Sequence, residues 1–162
     1  MGIEISQKAI DTAESWIKTA DTMAEKKVHN ICLYSEEMAV EIALKAVLLA
    51  LGIEPPKNHN IIETVENNIV NSHKISKYSR EEIAEIARSL LPELLGNRQT
   101  SGYTFNYNID KESLEAIALK YLEPSKNAVL LCKNIVTQIT KNMVKNKNLK
   151  IIIDTDAGRD NI

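Results

Sequence analysis

The chain has little of what breaks or staples a fold. Five glycines and four prolines in 162 residues supply too few turn signals for the many short strands of a sandwich or barrel. Two cysteines, Cys32 and Cys132, lie far apart in apolar helical patterns, so they read as buried free thiols and not as a disulfide framework or a metal site. That cysteine usage, with no apolar N-terminal segment, points to the cytoplasm. No run of roughly 20 apolar residues is available to span a bilayer. Neither charge sign dominates: the formal net charge is −2, which excludes an overall basic field that would recruit nucleic acid or anionic lipid. Any contact with RNA would have to be local.

What the chain does have is alanine, leucine and isoleucine at helical spacing, and the class this predicts is all-α. The stretch Tyr34 to Leu51, YSEEMAVEIALKAVLLAL, is apolar almost all the way round from Met38 onward, as expected of a helix buried on more than one side. It should be the central helix of a bundle. Glu41 and Lys45 stand four apart with the acid first, a helix-supporting order, and are expected to mark its one wetted edge. Gly52 ends it, and Pro55 and Pro56 forbid resumption.

Before the central helix, Ile10, Ala13, Trp16, Ile17, Ala20, Met23 and Ala24 form a stripe predicting a helix from a capping Ser6 to about Lys26, and hence an antiparallel hairpin with its successor. His29 falls at the junction, in a surface or helix-start role. After the central helix, Asn60 is placed to cap a short helix through Ile61, Ile62, Val65 and Ile69. Ser79 with Glu82 reads as a capping box for a fourth helix that Pro92 stops or kinks. Gly96 to Asn108 is polar and holds several of the few aromatic residues, so a loop is expected. Asp110 caps a long final helix, kinked near Pro124. The expected architecture is an up-and-down bundle of about five helices over residues 1–145. Residues 146–162 are read as a polar tail or a short appended strand.

The segment NICLYSEEMAVEIALKAVLLALGIEPPKNHNI, Asn30 to Ile61, resembles the signature of HEPN-domain proteins, the helical domains named for higher eukaryotes and prokaryotes nucleotide-binding. The shared elements are the alanine-rich helix with Glu41 and Lys45, then GIEPP, then His59 before the next helix. The resemblance implies a homodimer and, in many members, a metal-independent endoribonuclease of a toxin–antitoxin or defence system. In active members an arginine and a histidine a few residues later share one cleft, the arginine holding the scissile phosphate and the imidazole handling protons. Here the pattern reads Arg98-x4-Tyr103. A phenol titrating near pH 10 is a poor general base at neutral pH, and the three histidines lie upstream. A family variant with a tyrosine two positions further on, modified by a partner nucleotidyltransferase, has Phe105 there.

The function this implies is a HEPN protein that binds a nucleotide, RNA or a partner such as a nucleotidyltransferase domain, without a resident cofactor. The rival is an endoribonuclease using Arg98 with Tyr103, or with His59 supplied from elsewhere in the dimer; a structural helical dimer without ligand is the third. The ligand-binding set is Arg98, Gln99, Ser101, Gly102, Tyr103 and His59, because a fixed cation, backbone donors and an aromatic face suit a phosphate or a base. No metal site is expected. The string IIIDTDAGRD is similar to the calcium-binding turn of nucleoside hydrolases, which makes Asp154, Asp156 and Asp160 cation candidates of last resort.

Overall fold

The computed structural model describes residues 2–102 and 108–157, and among them all regular structure is helical. Helix α1 (Gly2–Glu25) turns Ile10, Ala13 and Ala20 inward. It starts before the expected cap. Ser6 is buried inside it, its hydroxyl donating to the Ile3 carbonyl at 2.7 Å. The chain reverses through Lys27, whose φ of 57° is left-handed, while Val28 N–H reaches back to Met23 O at 2.8 Å and Lys27 N–H to Ala24 O at 3.1 Å. This pair of bonds satisfies the last carbonyls of α1.

Helix α2 (His29–Ala50) is the centre of the bundle, packed on α1 and on the long final helix. Cys32, Leu33, Val40, Leu44, Val47 and Leu48 are all essentially without solvent exposure, as the nearly all-round apolar sequence requires. Gly52 closes it at φ 80° with the same pair of bonds, Ile53 N–H to Leu48 O and Gly52 N–H to Leu49 O. Of the two residues expected to mark its wetted edge, Lys45 is partly exposed, in a stripe with Tyr34, Met38, Ile42 and Leu49, but Glu41 is not. Glu41 is 2 % exposed, and Glu36 and Glu37 are buried with it. His29 opens α2 as expected but is also buried.

Helix α3 (Ile62–Val65) runs into a π turn, Glu66–Val70, that buries Ile69. Helix α4 (Lys77–Glu85) is capped by Ser76, which accepts from Ser79 N–H, three residues before the expected cap. A second π turn, Ile86–Leu90, leads into α5 (Leu91–Gly96). Pro92 neither stops nor ends the helical path. Proline has no N–H and its ring crowds the carbonyl four residues back; the wider π register, with Leu91 N–H on Ile86 O, carries the backbone into it.

Where a loop was expected, Arg98–Gly102 forms a short helix, α6. Helix α7 (Lys111–Ala157) is started by Asp110, whose carboxylate accepts from Ser113 N–H and Ser113 O–H, both at 2.8 Å. It continues on both sides of Pro124 and through residue 145, so residues 146–157 are helix and not an appended strand. Residues 141–153 are exposed on every face. Once a helix is nucleated, each further residue adds a hydrogen bond, so the β-prone run Ile151 to Ile153 is carried along. Cys32 and Cys132 are buried free thiols, and burial pushes Cys132 up to about 12. No helix among the described residues is long and apolar enough to cross a membrane.

Candidate functional site

Arg98 sits at the start of α6, and its side chain turns inward onto the first half of α2. One terminal nitrogen donates to the Glu37 carboxylate and lies 3.7 Å from the Met38 sulfur. The other lies 3.3 Å from the Tyr34 hydroxyl and 3.1 Å from His59 Nε2. The guanidinium carbon stands 5.1 Å from the Tyr34 ring centre, within range of a cation–π contact. Tyr34 is held in turn by Trp16, edge to face at 6.2 Å. Three elements thus fix one cation.

His59 comes from the proline-stiffened connector after α2. Its Nδ1 lies 3.0 Å from Glu41 Oε2, while Lys45 Nζ donates to Glu41 Oε1 at 2.7 Å and to the Asn58 carbonyl at 3.2 Å. Lys45 therefore ties the connector to α2 and aims the imidazole. With Nδ1–H given to the carboxylate, the His59 Nε2 lone pair faces Arg98, the arrangement that orients a histidine for proton transfer. His59 is half exposed and Glu41 is not. The polar chain runs from protein interior to solvent through these two residues.

Two carboxylates in this setting cannot both ionise freely. Burial, and then the hydrogen bond shared with Glu41, push Glu37 up to about 8, with Arg98 pulling the other way. For Glu41 burial also works against ionisation, but the hydrogen bonds from Glu37, Lys45 and His59 outweigh it and hold the group below the usual carboxylate range. Burial and the nearness of the two carboxyls thus raise the proton affinity of Glu37, while Glu41, with Lys45 and His59 as donors, is the one that ionises more easily. One residue before Glu37, burial raises Glu36 to about 8. Its one partner is Cys32 Sγ–H at 3.2 Å, and its second oxygen has none.

Glu37, Glu41 and His59 are the group among the described residues whose ligand atoms, all within 4.8 Å, could surround a metal ion. Arg98 and Lys45 already bond one oxygen of each carboxylate. An entering cation would have to displace or face two fixed positive charges. The donor set is better suited to holding Arg98 and His59 than to holding a metal.

Of the residues singled out from sequence, Arg98 and His59 come together in one chain, without any need for a second copy. Gln99 is exposed on α6. Ser101 is buried, its hydroxyl on the Arg98 carbonyl at 3.0 Å, and its N–H, expected as a free donor, is spent on Asn97 O at 2.9 Å. Gly102 lies against the Tyr34 ring, and a Cβ there would meet ring carbons at 3.7 and 3.8 Å. Tyr103, Phe105 and Asp160 lie outside the described residues; Asp154 and Asp156 fall in the last turns of α7, and their side chains also lie outside the description. Missed altogether were Tyr34 and Glu37. The signal for Glu37 was present as three glutamates, 36, 37 and 41, in a helix with no other acid.

A helical bundle with a buried acid pair holding an arginine and a histidine at its surface defines the class. The HEPN domain family model matches residues 6–127, three quarters of the chain, and the protein belongs to that family. No curated protein matches the chain.

Proposed function

We propose that this HEPN protein binds a phosphate-bearing ligand, a nucleotide or RNA, at the Arg98–His59 pair, and does so as a homodimer within a toxin–antitoxin or defence-type system. The observation that carries the reading is the 3.1 Å approach of Arg98 to His59 Nε2. The forked cation is the donor for a phosphate oxygen, and the imidazole beside it becomes a second donor when Nε2 also carries a proton. The family membership supports a symmetric pair of such sites and a nucleotidyltransferase-type protein as partner.

A second reading, metal-independent endoribonuclease, is favoured by the bond between His59 Nδ1 and Glu41. That bond leaves Nε2 as the atom able to take the proton of a ribose 2′-hydroxyl while Arg98 moves onto the phosphate. His59 would then supply the imidazole that the Arg98-x4-Tyr103 spacing lacks. The test is incubation of labelled single-stranded RNA, without metal, with the natural protein and with Arg98→Ala, His59→Ala and Tyr103→His, followed by filter binding and gel analysis. Binding without cleavage, reduced at least tenfold by Arg98→Ala, supports the binding reading. Cleavage lost in both Arg98→Ala and His59→Ala makes it an endoribonuclease. No binding by any form refutes both, and a concentration-independent monomer mass in solution refutes the dimer.

A further inference from the structure

On the side of α7 facing the connector between α3 and α4, two adjoining cavities of about 490 and 270 Å³ share Lys74, Ile139 and Asn142. Their α7 wall has a regular composition. Asn134, Gln138, Asn142 and Asn146 recur every fourth residue, and Ile135, Ile139 and Met143 form a second row one residue further round. Each row therefore has a pitch of about 6 Å along the helix. The carboxamide row is exposed, and Ile135 and Ile139 beside it are buried, forming a floor.

An extended polypeptide repeats every two residues, about 6.6 Å, with its backbone N–H and C=O groups in line and alternate side chains on one face. We propose that this groove binds a short extended peptide, its backbone paired to the carboxamide ladder and its alternate apolar side chains set on Ile135, Ile139 and Met143. Carboxamides suit that task because each offers both a donor and an acceptor to a peptide group. Gln138 Nε2 donates to Asn142 Oδ1 at 3.1 Å, which ties the two side chains together and does not use the Gln138 carbonyl or the Asn142 NH₂.

The opposite wall sets the charge of the occupant. Lys74, common to both cavities, is the one charged residue lining them, and no acid faces it there. Beside it Ser76 is occupied as the α4 cap and donates to Ser79 Oγ at 3.1 Å, so the Ser79 hydroxyl proton is available. A carboxylate midway along the peptide meets both groups. The mismatch of about 0.6 Å per step between helix and strand accumulates, so three rungs, or about six peptide residues, are the matched length.

The test uses the full chain and an array of acetylated heptapeptides in which leucine, valine or isoleucine alternates with serine and one position in turn is glutamate. The tightest binder is then measured in solution by fluorescence anisotropy, together with its backbone N-methylated form. Saturable binding that falls at least tenfold for Gln138→Ala/Asn142→Ala, falls likewise on N-methylation, and loses its preference for glutamate in Lys74→Ala is the expected result. Circular dichroism shows whether the substituted chains keep their helix content; all three positions are exposed. No binder on the array, or binding indifferent to the ladder or to N-methylation, overturns the proposal.

Discussion

Replacing Glu36 by glutamine should change how stability depends on pH more than it changes stability itself. Glu36 is without solvent exposure, and burial raises it from an ordinary 4.5 to about 8. A carboxyl whose pKa is higher in the folded state holds a proton there that the unfolded chain releases. Its contribution is fully present below pH 4.5 and is lost as pH rises toward 8. At 1.36 kcal/mol per unit, the interval from pH 5 to pH 8 is worth roughly 3 kcal/mol from this residue alone. Glu37, also raised to about 8, adds a loss of the same sign. Glu41, held low, contributes stability that is fully present above the usual carboxylate range and is lost only as pH falls below it, so it leaves the slope from pH 5 to pH 8 unchanged. Urea unfolding monitored by circular dichroism at pH 5, 6, 7 and 8 should therefore show the natural protein losing stability with rising pH. The Glu36→Gln chain keeps a neutral polar group of nearly the same shape, so it should lose about 3 kcal/mol less across that range. A natural protein whose stability is flat or rising from pH 5 to pH 8, or a variant with an unchanged slope, would refute the reasoning.

Gly52→Ala should cost about 1 kcal/mol in the same assay, because its φ of 80° strains any Cβ although the space around it is open; an unchanged midpoint would contradict this. Leu44→Ala removes a side chain with no exposure at the centre of α2 and should cost 2–5 kcal/mol, about the range for cavity formation in a core, read as a lower urea midpoint at unchanged slope. If the Arg98–His59 pair binds a phosphate, affinity for labelled RNA should weaken as pH rises through about 8, where Glu37 ionises and takes up more of the Arg98 charge; affinity that strengthens over that interval would refute it.

The bundle was readable because its signals are local and repeated. Ile10, Ala13 and Ala20 on α1, and Val40, Leu44 and Val47 on α2, each recur at the helical period, and every one is buried. Gly52 and Asp110 mark ends by chemistry that acts within four residues, a left-handed stop and a carboxylate cap. Helix α6 gave no such signal, because five residues are too few to show a period. The π turn before Asn71 shows no such signal either, and the one before Leu91 is marked only by Pro92, which says where the register must change but not that the helical path continues. Ser79 and Glu82 fit a capping box, yet Ser76 with Ser79 N–H won the position, and both choices obey the same local rule.

The site was half legible for a related reason. Glutamates near the start of a helix are ordinarily solvated, and nothing within α2 says otherwise. What buries Glu37 is Arg98, 61 residues further along, and what buries Glu41 is a connector held down by Lys45. An acid leaves water at tolerable cost either with a cation beside it, as Glu37 does with Arg98 and Glu41 with Lys45, or by keeping its proton, as the raised Glu36 does. Sequence reading found both cations and the histidine but assigned Glu41 and Lys45 to solvent, so it lacked the reason for Arg98 to turn inward. Once the acids are inside, the rest follows: Arg98 can satisfy Glu37 only by lying across Tyr34, and in that position its second nitrogen reaches the imidazole that Glu41 holds. The pairing of Arg98 with His59 is thus a consequence of two buried carboxylates four residues apart on one helix.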